Sequence, residues 1–453
     1  MVVITCVSVL IVLIIIYHYV QCLIILKKSK LPSLPLLPLL GHCHYFFGPT
    51  DVFYKKIARI LKRANSFGLF IGPLFSPLLY DVDIVSHLIH LDNSMLRKSY
   101  LYNILRTLVN RTIFQDTGTS YKESKRVLLK AMGHVNLQHY NKIFIKNSKQ
   151  LVKKLKTRTD EEINLDPELD FCVVSAMLES MIGSEALTNN EEEIDRMGSE
   201  ISNYLRKTCE RLVLERKAVY EKTLTPVLID TYFTTKRLDG EEFTTETIVD
   251  DVITLLGAGV ETTVSSLGFI IMLLAMNQGV QKRVIEEIES KIPEEKDDVS
   301  TQDLSNLPYL DQVVHEAWRL YPPASAIGRT VTTEVDLPNG GSLVEGTNIW
   351  FCILKLHRDP KIYPNPNEFN PDNFLPEKIE SRPQGSYIPF GFGARKCIGN
   401  VFAKLVIKAT IYQLLRNYTF HTTKTVEDFR LALEVTLKNK IGVPVILKSR
   451  NKA

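Results

Sequence analysis

Residues 390–399 read FGFGARKCIG and are the most informative stretch of the chain. Gly393 and Gly399 would let the backbone bend tightly and approach a flat ligand, because glycine has no Cβ. Apolar residues at helical spacing begin directly after Cys397, so we expect this cysteine at a helix N-terminus. Free amides and the helix dipole there lower the pKa of a thiol and favour a metal-binding thiolate. The alternative is an ordinary buried cysteine in a glycine-rich turn.

Five positions of this stretch match the signature of one family: Phe390, Gly393, Arg395, Cys397 and Gly399. At average residue usage, a chance match to all five is on the order of 10⁻⁴ per chain. From about residue 31 to the C-terminus, the chain therefore resembles a cytochrome P450. The resemblance implies that Cys397 is the axial ligand of a haem b iron, a ligation that favours O–O cleavage. It also implies that Arg395 pairs with a haem propionate through its planar guanidinium.

The implied fold is mainly α with small β-sheets, with haem between a long central helix and the cysteine loop and its following helix. No linker, repeat or low-complexity tract divides the 453 residues, which predicts one catalytic domain over residues 46–453. The balance of 55 Lys+Arg against 51 Asp+Glu indicates no nucleic-acid partner. Seven irregularly spaced cysteines fit a reducing compartment and no disulfide framework.

The N-terminus predicts a membrane anchor. Residues 2–26 carry no charge, and as a helix they would be about 37 Å long against a hydrocarbon core of about 30 Å. The run is too long for a cleaved signal peptide and lacks a basic start. Lys27, Lys28 and Lys30 place the C-terminal side in the cytosol. Residues 27–45, basic and then proline-rich, would form a stiff hinge. With the resemblance, this predicts the endoplasmic reticulum membrane with the catalytic domain on its cytosolic face.

A long apolar helix is predicted over residues 247–276. Gly257 and Gly259 lie in its middle, where each costs roughly 1 kcal/mol relative to alanine. They indicate either close helix packing or a groove for dioxygen. The pair that follows these glycines, Glu261 and Thr262, resembles the oxygen-activation motif of the family. The resemblance implies that Thr262 donates a hydrogen bond during oxygen activation and that Glu261 feeds a proton-delivering water chain.

Glu316 and Arg319 share one face of another predicted helix. This spacing alone indicates a solvated ion pair that contributes little to stability. The residues that follow, LYPP at 320–323, make the pair resemble the Glu-x-x-Arg clasp that braces the thiolate loop. Asn373 stands where the family often has an arginine, so we expect a weaker clasp.

Three further residues are predicted to bind the cofactor. Arg329 resembles a second propionate partner, although it is equally compatible with a surface arginine. Tyr121 and Lys125 stand where the family has Trp-x-x-x-Arg. Both can donate hydrogen bonds, but the compact ammonium of lysine lacks the planar, two-pronged geometry of an arginine guanidinium. The retention of haem, or the way the protein tunes it, would therefore differ.

Several segments resemble the microsomal family-4 clan, among them HRDP at 357–360. Ala258 replaces the glutamate that esterifies haem in some of its members, so we expect non-covalent haem. The resemblance implies a monooxygenase that inserts one atom of dioxygen into a small hydrophobic substrate: a fatty acid, sterol or terpenoid, or xenobiotic. Its electrons would come from NADPH-cytochrome reductase. The alternatives are a haem-thiolate isomerase or lyase that needs no outside electrons, and a non-catalytic haem or lipid carrier.

A basic docking surface for that reductase is predicted on the thiolate side of the haem. Its members would lie beside the cysteine and on the two helices flanking it: Lys122, Lys125, Arg126, Lys396, Lys404 and Lys408. Long-range attraction would steer the acidic flavin domain to this surface. The alternative is that these are solvating charges without a partner.

Overall fold

The computed structural model describes residues 2–45, 47–62, 64–107, 113–183, 203–222 and 226–450. Helices make up most of it, which confirms the predicted class of mainly α with small sheets. In chain order, the α-helices are α1 Val2–Ser29, α2 Thr50–Leu61, α3 Val82–Ile89, α4 Gly118–Ala131, α5 His134–Leu155, α6 Asp166–Met181, α7 Asn203–Val219, α8 Asp230–Phe233, α9 Thr245–Met276, α10 Gln278–Lys291, α11 Thr301–Ser305, α12 Pro308–Leu320, α13 Ile353–Leu356, α14 Pro376–Glu380 and α15 Asn400–Asn417.

The strands are short, with two to six residues each. They are β1 Ser66–Phe67, β2 Phe70–Ile71, β3 Leu74–Phe75, β4 Leu78–Leu79, β5 Leu96–Lys98, β6 Glu162–Asn164, β7 Ile327–Val331, β8 Val335–Asp336, β9 Ser342–Leu343, β10 Asn348–Phe351, β11 Tyr418–His421, β12 Leu431–Leu433, β13 Leu437–Asn439 and β14 Pro444–Ser449. The largest sheet has the order β1-β4-β10-β7-β5, and a second has the order β11-β14-β6. Three two-stranded hairpins complete the set: β2-β3, β8-β9 and β12-β13.

Helix α9 is the central element. Thr244 caps its start by accepting a hydrogen bond from the Thr247 amide, and the helix then runs unbroken for 32 residues. Its residues 267–275 are apolar on every side and buried among their neighbours, as expected for a core helix. The glycines at 257 and 259 do not interrupt it.

Two apolar cores hold the molecule together. The larger lies among the helices and includes α5, α6, α9, α12 and α15. The smaller lies under the five-stranded sheet and takes in Leu31 and Leu34 from the predicted hinge. His42 of that segment is also buried, and its ring accepts from the Phe70 amide at 2.8 Å. The division into anchor, hinge and catalytic domain stays a prediction, but the hinge segment is packed against the sheet. The cysteine loop lies between the two cores.

Candidate functional site

The cysteine loop is a tight, glycine-dependent turn. Gly391 and Gly393 have φ angles of +70° and +64°, which only glycine adopts readily. A Cβ at Gly393 would meet the Asn93 side-chain oxygen at 2.7 Å. The Cys397 amide closes the loop by donating to the Phe390 carbonyl at 2.9 Å. Phe390 and Gly393 thus hold the loop in the shape that the sequence predicts.

Gly399 has a different role from the one we expected. Its φ of −80° is ordinary, so no bend requires glycine there. A Cβ at Gly399 would lie 4.0 Å from Cys397 Sγ, and its absence leaves the face beside the sulfur open.

Cys397 is exposed and lies just before α15 begins at Asn400. Desolvation by the surrounding protein raises the pKa of the Cys397 thiol, whereas the Gly399 amide and the charges of Lys396 and Lys98 lower it. Desolvation therefore outweighs the lowering of the thiol pKa that we expected from the helix N-terminus. Iron ligation would override this balance, because a metal-bound thiol is deprotonated.

Three cations converge beside the loop around a cavity of about 400 Å³: Lys98, Arg329 and Arg395. Lys98 and Arg329 are direct cross-strand partners in the β5–β7 pair. Like charges at such positions destabilise a sheet. Burial and the two guanidiniums lower the pKa of Lys98 to about 6. Arg395 also has a buried Nη1 without a hydrogen-bond partner among the described residues. The arrangement therefore fits an anion with several carboxylate oxygens, such as the paired propionates of haem.

Sequence reasoning missed Lys98, because nothing in its neighbourhood resembles a motif. Only the register of β5 on β7 places it opposite Arg329. Arg329 itself is buried, not a surface arginine. Its guanidinium donates to the Gly328 carbonyl at 2.9 Å and lies 5.0 Å from the Phe392 ring centre.

Tyr121 and Lys125 of α4 brace the cysteine loop. The Tyr121 hydroxyl and the Lys125 ammonium donate to the Ala394 carbonyl at 2.7 and 2.6 Å. The Arg395 guanidinium stacks on the Tyr121 ring at 3.4 Å and donates to the Asp116 carbonyl. The pair therefore contacts the candidate cofactor site through the Ala394 carbonyl and through Arg395. A direct hydrogen bond from either side chain to a propionate stays a prediction.

Glu316 and Arg319 form a fully buried ion pair. Arg319 Nε and Nη2 donate to the Glu316 carboxylate at 2.7 and 2.8 Å. Its remaining donors reach the carbonyls of His357, Pro366 and Glu368. Burial raises the pKa of Glu316, and the bonds from Arg319 oppose that shift. With every donor satisfied, this pair is not a solvated one but a structural centre of the fold.

Two contacts tie this clasp to the cysteine loop. The buried His357 ring accepts from the Ile388 amide at 2.9 Å, two residues before Phe390. The Trp318 ring packs edge-on against Phe390 with centroids 4.9 Å apart, and its Nε1 donates to Ser266 on α9 at 3.0 Å. Helix α12 therefore holds the loop and the central helix at once.

Asn373 takes part in the clasp by donating to Glu316 at 3.1 Å. An arginine from another segment contacts the backbone of this asparagine. Arg382 donates to the Asn373 carbonyl and stacks between the Tyr363 and Phe374 rings at 5.0 and 4.6 Å. The contact of Arg382 with Asn373 was not predictable from a motif, because Arg382 follows the short helix α14.

On α9, the predicted oxygen-activation motif lies at a local opening in a buried helix. Gly257 and Ala258 are exposed, and a Cβ on Gly257 would meet nothing within 4 Å. A Cβ on Gly259 would meet Met177 at 3.1 Å. The interpretation as a groove therefore fits Gly257, which faces open space, and the interpretation as close helix packing fits Gly259. The Thr262 hydroxyl donates to the Ala258 carbonyl at 2.8 Å, a bond to the i−4 carbonyl that Ser and Thr side chains make within helices.

Glu261 points to a second cavity of about 140 Å³ and pairs with Lys438 of β13 at 2.8 Å. Asp166 and Asp170 line the same cavity. Burial and the nearby Asp170 raise the pKa of Asp166 to about 6. Three acidic side chains therefore line one cavity beside the motif.

The predicted basic docking surface is wrong for Lys408. This side chain is buried, and both Lys408 and Lys404 pair with Asp311, at 2.8 and 3.1 Å. Helix α15 packs against α5, α9, α10 and α11, so its apparent polar face is also covered. Lys122 and Lys396 are exposed, as expected.

Comparison with known proteins gives a consistent result. A sequence model of the cytochrome P450 family matches residues 31–215 and 192–440. Cytochrome P450 4V2 of Mus musculus is 24% identical over 94% of this chain and 91% of its own length. Cytochrome P450 4c3 of Drosophila melanogaster is 24% identical over 98% of this chain and 93% of its own length. The solved heme domain of cytochrome P450DA covers 93% of this chain and 97% of itself, with 21% identity and a TM-score of 0.81.

Proposed function

The chain belongs to the cytochrome P450 family, and we propose that this monooxygenase uses NADPH-derived electrons to insert one oxygen atom into a small hydrophobic substrate. It is similar to family-4 members and binds haem b non-covalently. We propose NADPH-cytochrome reductase as the electron donor. A fatty acid, sterol or terpenoid, or xenobiotic is the proposed substrate. The proposed location is the endoplasmic reticulum membrane, with the catalytic domain facing the cytosol.

The observation that best supports cofactor binding at this site is the meeting of cations and thiol around one loop. Cys397 would hold the iron, and Arg395, Arg329 and Lys98 would bind the propionates. Bound haem supplies the thiolate-ligated iron at which dioxygen is activated. Tyr121 and Lys125 would keep the loop in position through the Ala394 carbonyl.

Proton delivery is the proposed role of the α9 motif. The Thr262 hydroxyl is held at the Ala258 carbonyl, so its Oγ1 has a fixed position at the open turn of the helix. Glu261, which pairs with Lys438, would pass protons toward that turn. An isomerase or lyase has less need of such a relay, so Glu261 and Thr262 favour the monooxygenase.

Electron consumption distinguishes the three functions. Full-length protein with reductase and a panel of lipophilic compounds should oxidise NADPH and form a product that carries one oxygen from ¹⁸O₂. Turnover of an organic hydroperoxide without NADPH, and no ¹⁸O₂ incorporation, would instead assign the isomerase or lyase. Haem binding without either reaction would assign the carrier.

A further inference from the structure

The turn that precedes Cys397 has no capping side chain of its own. Residues Gly393–Arg395 form one turn of 3₁₀-helix, and Phe392, at its N-terminal cap position, makes no side-chain hydrogen bond to it. The first amides of a helical turn have no acceptor within the helix. These amides need water or an acceptor from another segment of the chain.

Asn93 supplies such an acceptor from a segment far away in the sequence. Its side-chain Oδ1 accepts from the Ala394 amide at 3.0 Å. A Cβ on Gly393 would meet the same oxygen at 2.7 Å, so the Asn93 oxygen takes the space that a side chain would fill. The glycine that gives the loop its φ of +64° therefore also makes room for the asparagine.

Asn93 lies in a turn whose backbone is tied to the five-stranded sheet. The Asp92 carboxylate accepts from the Ser94 amide at 2.7 Å, and the Met95 amide donates to the Asp92 carbonyl at 2.9 Å. Thr332, directly after β7, donates from its hydroxyl to the Ser94 carbonyl at 2.7 Å and from its amide to the Met95 carbonyl at 3.0 Å. These bonds fix the position of Asn93 relative to β5 and β7.

The two peptide groups that flank Ala394 are held by two different parts of the molecule. The Ala394 amide is bound by Asn93, and the Ala394 carbonyl is bound by Tyr121 and Lys125 of α4. Cys397 follows three residues later on the same short loop. A shift of the turn would therefore move the Cys397 thiol.

The segment that carries Asn93 also reaches the cavity with the three cations. Asn93 lines this cavity together with Lys98, Arg329 and Arg395. Lys98 follows Asn93 by five residues and lies opposite Arg329 across the β5–β7 pair. One short segment thus carries a candidate propionate partner and the acceptor for the cysteine loop.

We propose that Asn93 is a positioning residue for Cys397, because its side-chain oxygen caps the 393–395 turn and holds the thiolate where it ligates iron. The inference rests on the proposed ligation by Cys397 and goes beyond it, since neither the signature of the cysteine loop nor the clasp includes this residue. In this role Asn93 acts through the Ala394 amide and makes no contact with the iron.

Loss of this hydrogen bond should weaken thiolate ligation without unfolding the domain. The measurement uses the full-length, haem-loaded protein, reduced and saturated with CO, at a temperature below unfolding. The decay of the red-shifted CO band into the unshifted band should be roughly two- to tenfold faster in Asn93→Ala than in the wild type, the range for loss of one neutral hydrogen bond. Far-UV circular dichroism over the same period should show no loss of helix.

Two further variants separate the acceptor oxygen from other effects of the substitution. Asn93→Asp keeps an acceptor oxygen in a side chain of the same shape, so its decay should match that of the wild type. Asn439→Ala is the matched control, because the Asn439 Oδ1 also accepts a backbone amide at 3.0 Å, that of Arg430 beside the β12–β13 hairpin. Its decay should also match that of the wild type.

Three outcomes would overturn the role of Asn93. The first is a decay in Asn93→Ala no faster than in Asn439→Ala, and the second is an equally fast decay in Asn93→Asp. The third is a loss of helix that accompanies the loss of the band, because Asn93 would then stabilise the whole domain. A wild-type protein without a red-shifted band would instead refute ligation by Cys397, and the positioning role with it.

Discussion

Replacing Lys98 with methionine should speed the loss of haem. Lys98 lies opposite Arg329 across β5–β7, so its ammonium is positioned to bind one carboxylate of the cofactor. A hydrogen bond to a charged group contributes about 1.5–3 kcal/mol, which corresponds to roughly tenfold to hundredfold faster haem release. The assay is transfer of haem from the protein to excess apomyoglobin. Lys122→Met removes an exposed lysine and serves as the control.

A second readout follows from the pKa of the same group. Burial beside two guanidiniums lowers the pKa of Lys98 to about 6, so at pH 7 the apoprotein holds this amine largely unprotonated. A bound carboxylate raises the pKa again, so this amine should take up a proton on haem binding, whereas iron ligation removes the proton of the Cys397 thiol. Calorimetry in buffers of different ionisation enthalpy measures the net proton exchange, and Lys98→Met should shift it by about one proton toward release. Haem release and net proton exchange equal to those of Lys122→Met would refute the assignment.

Three other outcomes follow from the site. Thr262→Ala should keep haem and substrate binding but lower the ratio of product to NADPH consumed, and an unchanged ratio would remove Thr262 from proton delivery. Arg319→Met leaves the buried Glu316 without its counter-charge and three carbonyls without the Arg319 donor, so it should cost about 3–5 kcal/mol of stability in thermal unfolding. Arg283→Met, at an exposed pair, should cost under about 1 kcal/mol. Burial and Lys404 lower the pKa of His315, on α12, to about 4. As the pH falls, the unfolded chain binds a proton at this histidine before the folded chain does, so the free energy of unfolding should decrease between pH 6.5 and 4. His315→Phe should flatten that decrease.

The parts predictable from the sequence are those whose residues are close together along the chain. The cysteine loop is contiguous, the clasp pair shares one helix face, and the long apolar stretch allows only a buried or membrane helix. These patterns express local geometry, and the structure contains all three.

The parts that were not predictable depend on which elements meet. Lys98 becomes a candidate only through strand register, and Arg382 only through the path of the chain after α14. Lys408 looked solvated because its helix carries lysines at helical spacing, yet neighbouring helices cover that face and Asp311 pairs with the charge. Helical periodicity shows where polar residues lie on a helix, but not whether another element covers them.

The proposed haem site depends most directly on Cys397 as the iron ligand. The measurement is the ferrous–CO difference spectrum of the wild-type chain and of Cys397→Ala, with haem content determined in parallel. The wild-type protein should show the red-shifted band typical of thiolate ligation, and the alanine variant should lose that band. A red-shifted band that persists in Cys397→Ala would show that another group ligates the iron and would contradict the proposed site.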